Sequence, residues 1–337
     1  MKRIIICLCL IIISVQNVKA VDFVGKSYIV MDTYNGIVLE EQNAYYVQSV
    51  ASISKIMTAI IAIENGNLKD EYTIGEEVNK AWGSGVYIHI GDKITLQDLL
   101  YGLMLRSGND AAMCIAVNVG GSLDKFVEMM NQKAKELNME HTIFSNPTGL
   151  DEEDEGNQSC VYDMALLMKY ASQNSIFNDI VDTKEYKRLD GNGVWHNKNR
   201  LLDEYEYCVG GKTGFTKKAK RTLVTRAIKN DVSLTIVTFN CGDDFEFHKL
   251  KYEECFDNYQ NHFLLSKGIY EYNGHSFLID EDIYCLEGKK EEVSFSFYGN
   301  QIQLKYKDKT IKTFKKRSVI QIIFDYWRIL LGEMVNG

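Results

Sequence analysis

The order of apolar and polar residues divides the chain into stretches of different periodicity. Ser27 to Asp32 and Ile37 to Glu40 read as two strands. Between them Thr33-Tyr34-Asn35-Gly36 holds an Asn-Gly pair, which supplies the positive φ angles of a tight hairpin. From Ser52 to Glu64 the pattern becomes helical, with Ile53, Ile56, Met57, Ile60, Ile61 and Ile63 apolar nearly all round. A helix with so little polar face is buried on most sides, which makes Ser52 and Lys55 conspicuous. Thr95 to Gly120 predicts two helices broken at Ser107-Gly108-Asn109, and Leu123 to Leu137 predicts another. Asn146-Pro147-Thr148-Gly149-Leu150 is a turn around the only proline, followed by an acidic loop, Asp151 to Gln158, and a helix from Val161 to Ser172. Near Gly210 the pattern returns to strands: Lys212 onward, Arg221 to Ile228 and Val232 to Asn240, the last two joined by Lys229-Asn230-Asp231. Helices between an early and a late group of strands predict an α/β (α+β) fold, one sheet built from both chain ends with helices around it.

Beyond Phe263 the alternation shortens. Val293 to Phe297 and Gln301 to Tyr306 lie among Gly288 and Gly299, so Ile269 to Phe314 reads as a small all-β module. Lys312, Lys315, Lys316 and Arg317 then lead into Val319 to Met334, a helical stretch with Gln321, Asp325 and Arg328 on one narrow stripe. A wide apolar face beside basic residues suits a helix lying in a membrane interface; the rival is a helix packed on the β module. A membrane span is disfavoured by the charged pair in its middle. At the other end Lys2 and Arg3, the apolar run Ile4 to Val15, and Val18-Lys19-Ala20 form a three-part secretory leader over residues 1–20. An uncleaved N-terminal anchor is the alternative.

Composition narrows the function classes. With 45% hydrophobic and 25% charged residues among 337, the chain is of ordinary globular make-up. Its formal net charge of −8 argues against nucleic acid as a partner. Cys114, Cys160, Cys208, Cys241, Cys255 and Cys285 follow the leader at irregular spacing, so they read as buried thiols, with disulfides left open. His89, His141, His196, His248, His262 and His275 are scattered with no H-x-x-x-H pair, so no metal and no cofactor is expected.

Three short motifs carry candidate chemistry. In Ser52-Ile53-Ser54-Lys55, residues three apart on a helix share a face, so the Lys55 amine reaches the Ser52 hydroxyl. A desolvated lysine loses its proton at working pH and activates a serine nucleophile. Ser107-Gly108-Asn109 offers a hydroxyl for proton relay and an amide to orient Lys55 or a substrate carbonyl. Gly211-Lys212-Thr213-Gly214 opens an edge strand whose glycines let a substrate backbone approach and pair, where Lys212 and Thr213 meet a carboxylate. Each motif is common by chance or explained by turn chemistry; their order and setting together are not.

In that order the trio resembles the serine D-alanyl-D-alanine carboxypeptidases, the low-molecular-mass penicillin-binding proteins. The likeness extends to ASISKIMT (51–58), LLYGLMLRSGNDAA (99–112), KAKELNMEHTIFSNPTGL (133–150), NKNRLL (197–202), GGKTGFT (210–216) and Asp243 to His248. It implies a β-lactamase/transpeptidase-like peptidase domain over 21–263, a small β domain over 264–314 and an amphipathic, membrane-anchoring helix over 315–337. It further implies Ser52 as acylated nucleophile, Lys55 as general base, and Ser107 and Asn109 as relay and orienting groups. Lys212, Thr213, Gly214 and Phe215 become the substrate strand, with the backbone N–H groups of Ser52 and Phe215 as oxyanion hole. The implied partners are a peptidoglycan stem peptide ending in D-Ala-D-Ala, β-lactam antibiotics and the outer face of the cytoplasmic membrane. The implied location is extracytoplasmic and peripheral on that membrane.

Two positions depart from the family pattern. Val50 stands where proline or methionine is frequent, and Lys220 where glycine is common; at positive φ a lysine costs on the order of 1 kcal/mol. A class A β-lactamase shares the trio but needs a glutamate in E-x-x-L-N, and Ala134 occupies that place before Leu137-Asn138. A D,D-transpeptidase differs only in the acyl acceptor. A non-catalytic wall-binding module needs a broken motif, and none is broken.

Overall fold

Five strands from two distant parts of the chain form the central sheet. Its order is Val38–Gln42, Ser27–Asp32, Val232–Phe239, Lys220–Lys229 and Cys208–Thr216, antiparallel throughout. The computed structural model describes residues 23–151, 156–279, 282–286, 293–306, 309–318, 320–324 and 327. The leader reading, half of the acidic loop and most of the C-terminal helix reading lie outside the described residues.

Alternation puts successive side chains on opposite faces of the sheet. Ile29, Met31 and Val237 join one core with α1 (Lys55–Asn65), α2 (Leu96–Leu105), α3 (Asn109–Gly120), α4 (Leu123–Glu136), α5 (Val161–Ala171) and α6 (Ser175–Asp182). Val30, Leu234 and Ile236 join a second core with the short α7 (Leu201–Glu204) and α8 (Asp244–Asn258). Every residue of Val232–Phe239 is therefore buried, Ser233, Thr235 and Thr238 included.

Several local expectations shift. In the first hairpin only Gly36 takes a positive φ, 76°, because Asp32 accepts hydrogen bonds from Tyr34 N, Asn35 N and Asn35 Nδ2 and shapes the turn itself. The Lys229–Asp231 turn has both Asn230 and Asp231 left-handed, at 50° and 63°. α6 and α8 were not legible as helices. The buried face of α8 carries His248 and Lys251 beside Phe245, Tyr252 and Cys255, so apolarity alone does not mark it. His248 is held between Thr225 Oγ1 and Thr238 Oγ1, while Lys251 donates to Glu40 and Glu254. All six cysteines among the described residues are buried free thiols.

The β module follows. Asn261–Leu265 pairs with Ile283–Leu286, Gly268–Tyr272 with His275–Ile279, and Val293–Tyr298, Gln301–Tyr306 and Lys309–Lys315 form a three-stranded sheet. Phe277, Ile279, Ile302, Leu304 and Phe314 fill its core, which Ile37 of the first hairpin also joins. Of the C-terminal stretch, Ile320, Ile323, Phe324 and Trp327 are exposed at helical spacing. Among the described residues no helix is long and apolar enough to cross a membrane.

Candidate active site

The three motifs meet at the edge of the sheet, around a cavity of about 300 Å³ lined by Ser52, Ser107, Thr213, Gly214 and Phe215 among others. A larger cleft of about 1370 Å³, between the hairpin turns of the sheet and the β module, contains none of them.

Ser52 does not sit in the α-helix proper. Ala51–Ser54 forms a 3₁₀ turn and α1 begins at Lys55, yet the three-residue separation still brings the two side chains together. Ala51 is left-handed at φ 52°, a conformation costing an alanine about 1 kcal/mol that its surroundings must offset. Thr222 Oγ1 donates to Val50 O from the sheet side, and Ser54 Oγ donates to Ala51 O. From the third side Gly149 presses so close that a Cβ there would lie 2.1 Å from Ala51 O. The nucleophile turn is thus gripped on three sides.

Lys55 Nζ lies 3.1 Å from Ser52 Oγ and donates to Asn109 Oδ1 at 2.7 Å and to Thr148 O. A neutral amine has two hydrogens and one lone pair. Asn109 Oδ1 and Thr148 O can only accept, so once the amine is neutral they take both hydrogens and its lone pair faces the Ser52 hydroxyl. The amine is fully buried, and desolvation, reinforced by the nearby charges of Lys212 and Lys198, holds its pKa well below the usual lysine value. The geometry and the direction of the shift both favour a base.

Ser107 closes the gap between α2 and α3 with φ 62°, buried except where its side chain borders the cavity. Asn109, at the start of α3, donates its Nδ2 to Trp82 O and thereby ties Lys55 to the loop that carries Ser84. Asp110 fixes the same loop by accepting from Val86 N, Tyr87 N and Ile88 N.

The Gly-Lys-Thr-Gly segment lies within the edge strand Cys208–Thr216 and not at its start. Gly214 passes so near the nucleophile turn that a Cβ would stand 2.4 Å from Thr222 Oγ1 and 3.0 Å from Ser52 N. The edge strand and the nucleophile turn thus run in close contact at Gly214. Lys212 is buried, donates to Thr213 O and has its pKa pushed down to about 7 by desolvation and then by Lys198.

Sequence reading named Ser52, Lys55, Ser107, Asn109, Lys212, Thr213, Gly214 and Phe215, and the fold brings them together. It gave no role to the Thr148 carbonyl, Ser84, Lys198, Arg221 or Asp244. The signal for Thr148 was present: Asn146 Oδ1 accepts from Thr148 N, Thr148 Oγ1 and Gly149 N, an Asx turn that aims the carbonyl at Lys55. Asp151 accepts from Ser49 Oγ and Thr216 Oγ1, each at 2.5 Å, so this acid clasps the end of the edge strand.

One group elsewhere has metal-like composition: ligand atoms of His141, Cys160 and Asp163 lie within 4.8 Å of one another. Asp163 already accepts from His141 N and Thr142 Oγ1, and Cys160 Sγ accepts from Asp163 N at the start of α5. Burial raises the Cys160 thiol to about 12, which opposes the thiolate a metal requires. The set is a helix cap.

The comparisons agree with this geometry. A model of the D-alanyl-D-alanine carboxypeptidase family (peptidase S11) matches residues 14–242. D-alanyl-D-alanine carboxypeptidase DacF of Bacillus subtilis (strain 168) is 34% identical over 226 residues, 65% of this chain and 58% of its own length. DacC of Escherichia coli (strain K12) is 34% identical over 245 residues, 68% of this chain and 60% of its own. The chain thus spans about three-fifths of the length of these relatives. A solved D-alanyl-D-alanine carboxypeptidase from Mycobacterium tuberculosis H37Rv superposes with TM-score 0.67 at 27% identity, covering 70% of this chain and 92% of that one. DacD from Francisella tularensis, at 21% identity and TM-score 0.69, covers 94% of this chain and 95% of that one, and so shares the fold across the β module as well. With a family model matched over more than half its length and the three motifs assembled at one cavity, the chain belongs to the D-alanyl-D-alanine carboxypeptidase family.

Proposed function

We propose that the protein is a serine D-Ala-D-Ala carboxypeptidase that removes the last D-alanine from peptidoglycan stem peptides through an acyl-serine intermediate. The observation that carries this reading is the position of Lys55 Nζ, buried and 3.1 Å from Ser52 Oγ, with Asn109 Oδ1 and Thr148 O as its other partners. Lys55 takes the Ser52 proton as Oγ attacks the penultimate D-alanine carbonyl. The carbonyl oxygen gathers charge against the N–H groups of Ser52 and Phe215. Ser107 relays the proton to the leaving amine, and Asn109 keeps Lys55 in place. Water then hydrolyses the ester. Lys212 and Thr213 serve the carboxylate end of the peptide, which pairs along the edge strand. A β-lactam acylates the same serine.

The protein works outside the cytoplasm after export by its leader. Exposed Ile320, Ile323, Phe324 and Trp327 beside Lys315 and Lys316 support a C-terminal helix lying on the outer membrane surface. The units are a leader over 1–20, the peptidase domain over 21–263, the β domain over 264–314 and the helix over 315–337. Hydrolysis is favoured over a class A-like β-lactamase because Ala134 stands at the glutamate place and Asp151 is spent on Ser49 and Thr216.

The test uses a fluorescent penicillin and a D-Ala-D-Ala peptide on the protein and on Ser52→Ala. Covalent label and released D-alanine in the parent, and neither in the variant, are expected. Label, with D-alanine released in step with transfer of the peptide to an added amine and little hydrolysed peptide, assigns a transpeptidase. No label on the folded parent sinks the enzyme reading.

A further inference from the structure

The larger cleft lies at the other end of the sheet from the three motifs. Its volume, about 1370 Å³, exceeds the roughly 300–1,000 Å³ that encloses a drug-sized molecule, so it suits a chain of several units. Arg221, at the motif cavity, and Lys229, at this cleft, stand near the two ends of one strand, roughly 25 Å apart at about 3.3 Å per residue. The walls are tied together. Asn35 Nδ2 donates to Tyr284 O at 3.0 Å, and Asn261 Nδ2 donates to Asp231 O at 2.6 Å. The first hairpin and the Lys229–Asp231 turn are thereby each fastened to the β module, and the cleft is preformed.

Its lining is polar without being charged overall. Lys169, Lys229 and Lys312 are matched in number by Asp231, Asp257 and Asp282, so no excess charge selects a phosphate chain or a strongly acidic polymer. The side-chain amides of Gln173, Asn230, Asn258 and Gln260 are exposed in it, and among the described residues none of them makes a hydrogen bond. Each amide can donate and accept at once. The hydroxyl and acetamido groups of a sugar chain do the same. Tyr34 and Tyr284, 60% and 44% exposed, add rings whose apolar bodies suit the C–H face of a pyranose and whose polar tips suit its hydroxyls.

We propose that this cleft binds a neutral chain of acetamido sugars, the glycan backbone of peptidoglycan, and so holds the wall at a second point apart from Ser52. Naming the wall glycan as the source rests on the carboxypeptidase reading; the sugar chemistry rests on the cleft alone.

Calorimetry on the full protein measures binding of tetra-N-acetylchitotetraose, a linear chain of acetamido sugars, before and after acylation with penicillin. Saturable binding that acylation leaves unchanged is expected. It should weaken about three- to tenfold in Tyr34→Ala and in Gln260→Ala, whose side chains are exposed. Thermal melting checks that both variants stay folded. On pentapeptide-bearing wall fragments D-alanine release should fall by a similar factor in both, while kcat/KM on a soluble D-Ala-D-Ala peptide stays within twofold. Absence of saturable binding, its loss on acylation, equal affinity in parent and variants, or unchanged release from wall fragments overturns the assignment. So does equal or tighter binding of polyglutamate, which would make the cleft an anion site. Sugar binding by a protein that penicillin does not label keeps the cleft assignment and defeats the carboxypeptidase reading. Label without sugar binding does the reverse.

Discussion

The peptidase region and the β module solve the problem of burial in opposite ways. The peptidase region buries Lys55, Asp98, Asp110, Asp163, Lys212, Asp244, His248 and Lys251. The core of the β module is drawn from Ile, Leu, Phe, Tyr and Cys side chains, and among the described residues every buried charged side chain precedes it. Burying an ionisable group is costly unless its polar atoms are matched, so such groups persist where the chemistry needs a shifted proton or a fixed orientation. The module's alternating strands, with Ile302, Leu304 and Tyr306 inward from Gln301–Tyr306, are ordinary sheet packing. The difference runs with the motifs: the region that buries charge is the one in which Ser52, Lys55 and Lys212 lie.

The largest expected effect breaks the base. Lys55→Met should lower kcat/KM on a D-Ala-D-Ala peptide by about 10²- to 10⁴-fold. In the parent, activity should rise with pH as the Lys55 amine loses its proton, at a pH well below the usual lysine range; that limb should vanish in the variant. A stability signature accompanies it. Lys212 binds a proton less readily folded, at about 7, than unfolded, at 10.5, so its linked contribution to stability is lost at low pH and grows as pH rises from about 7 to 10.5. Rate and melting profiles over pH 5 to 11 check both.

The comparison is sharpened by emptying the other core. Phe277 is fully buried against Phe295 and Phe314. Phe277→Ala should cost about 3–5 kcal/mol of module stability, read by denaturant unfolding, while kcat/KM on a soluble peptide stays within twofold. A parallel collapse of activity would show that the module shapes the site.

The smallest effect concerns the family glycine position. Lys220 takes φ 60° beside the end of the edge strand. Lys220→Gly should therefore raise stability by about 1 kcal/mol, an upward shift in melting temperature. No shift would mean that the surrounding turn has already relieved the strain.

Much of this was legible because local patterns agree with the fold. The edge strand was marked by its glycines, the break between α2 and α3 by Ser107-Gly108-Asn109, and the hairpin after Lys229 by Asn230-Asp231. The positive φ at Lys220 was expected from the glycine it replaces. What escaped were elements whose buried face is polar. α8 hides His248 and Lys251, whose partners Thr225, Thr238 and Glu40 lie far along the chain. The Asx turn at Asn146 was visible as a turn, but its target, Lys55, is 91 positions away.

The sequence by itself determined the periodicities, the order of the three motifs and the residue types able to act as nucleophile, base and strand, since these depend on neighbours a few positions apart. Only the tertiary structure decided which acceptors surround the Lys55 amine, that Gly149 and Gly214 close on the nucleophile turn, and that Asp244 holds Arg221 beside the cavity. Those facts depend on contacts across sheet and helix packing, where distance in space and dielectric surroundings set the proton and the charge.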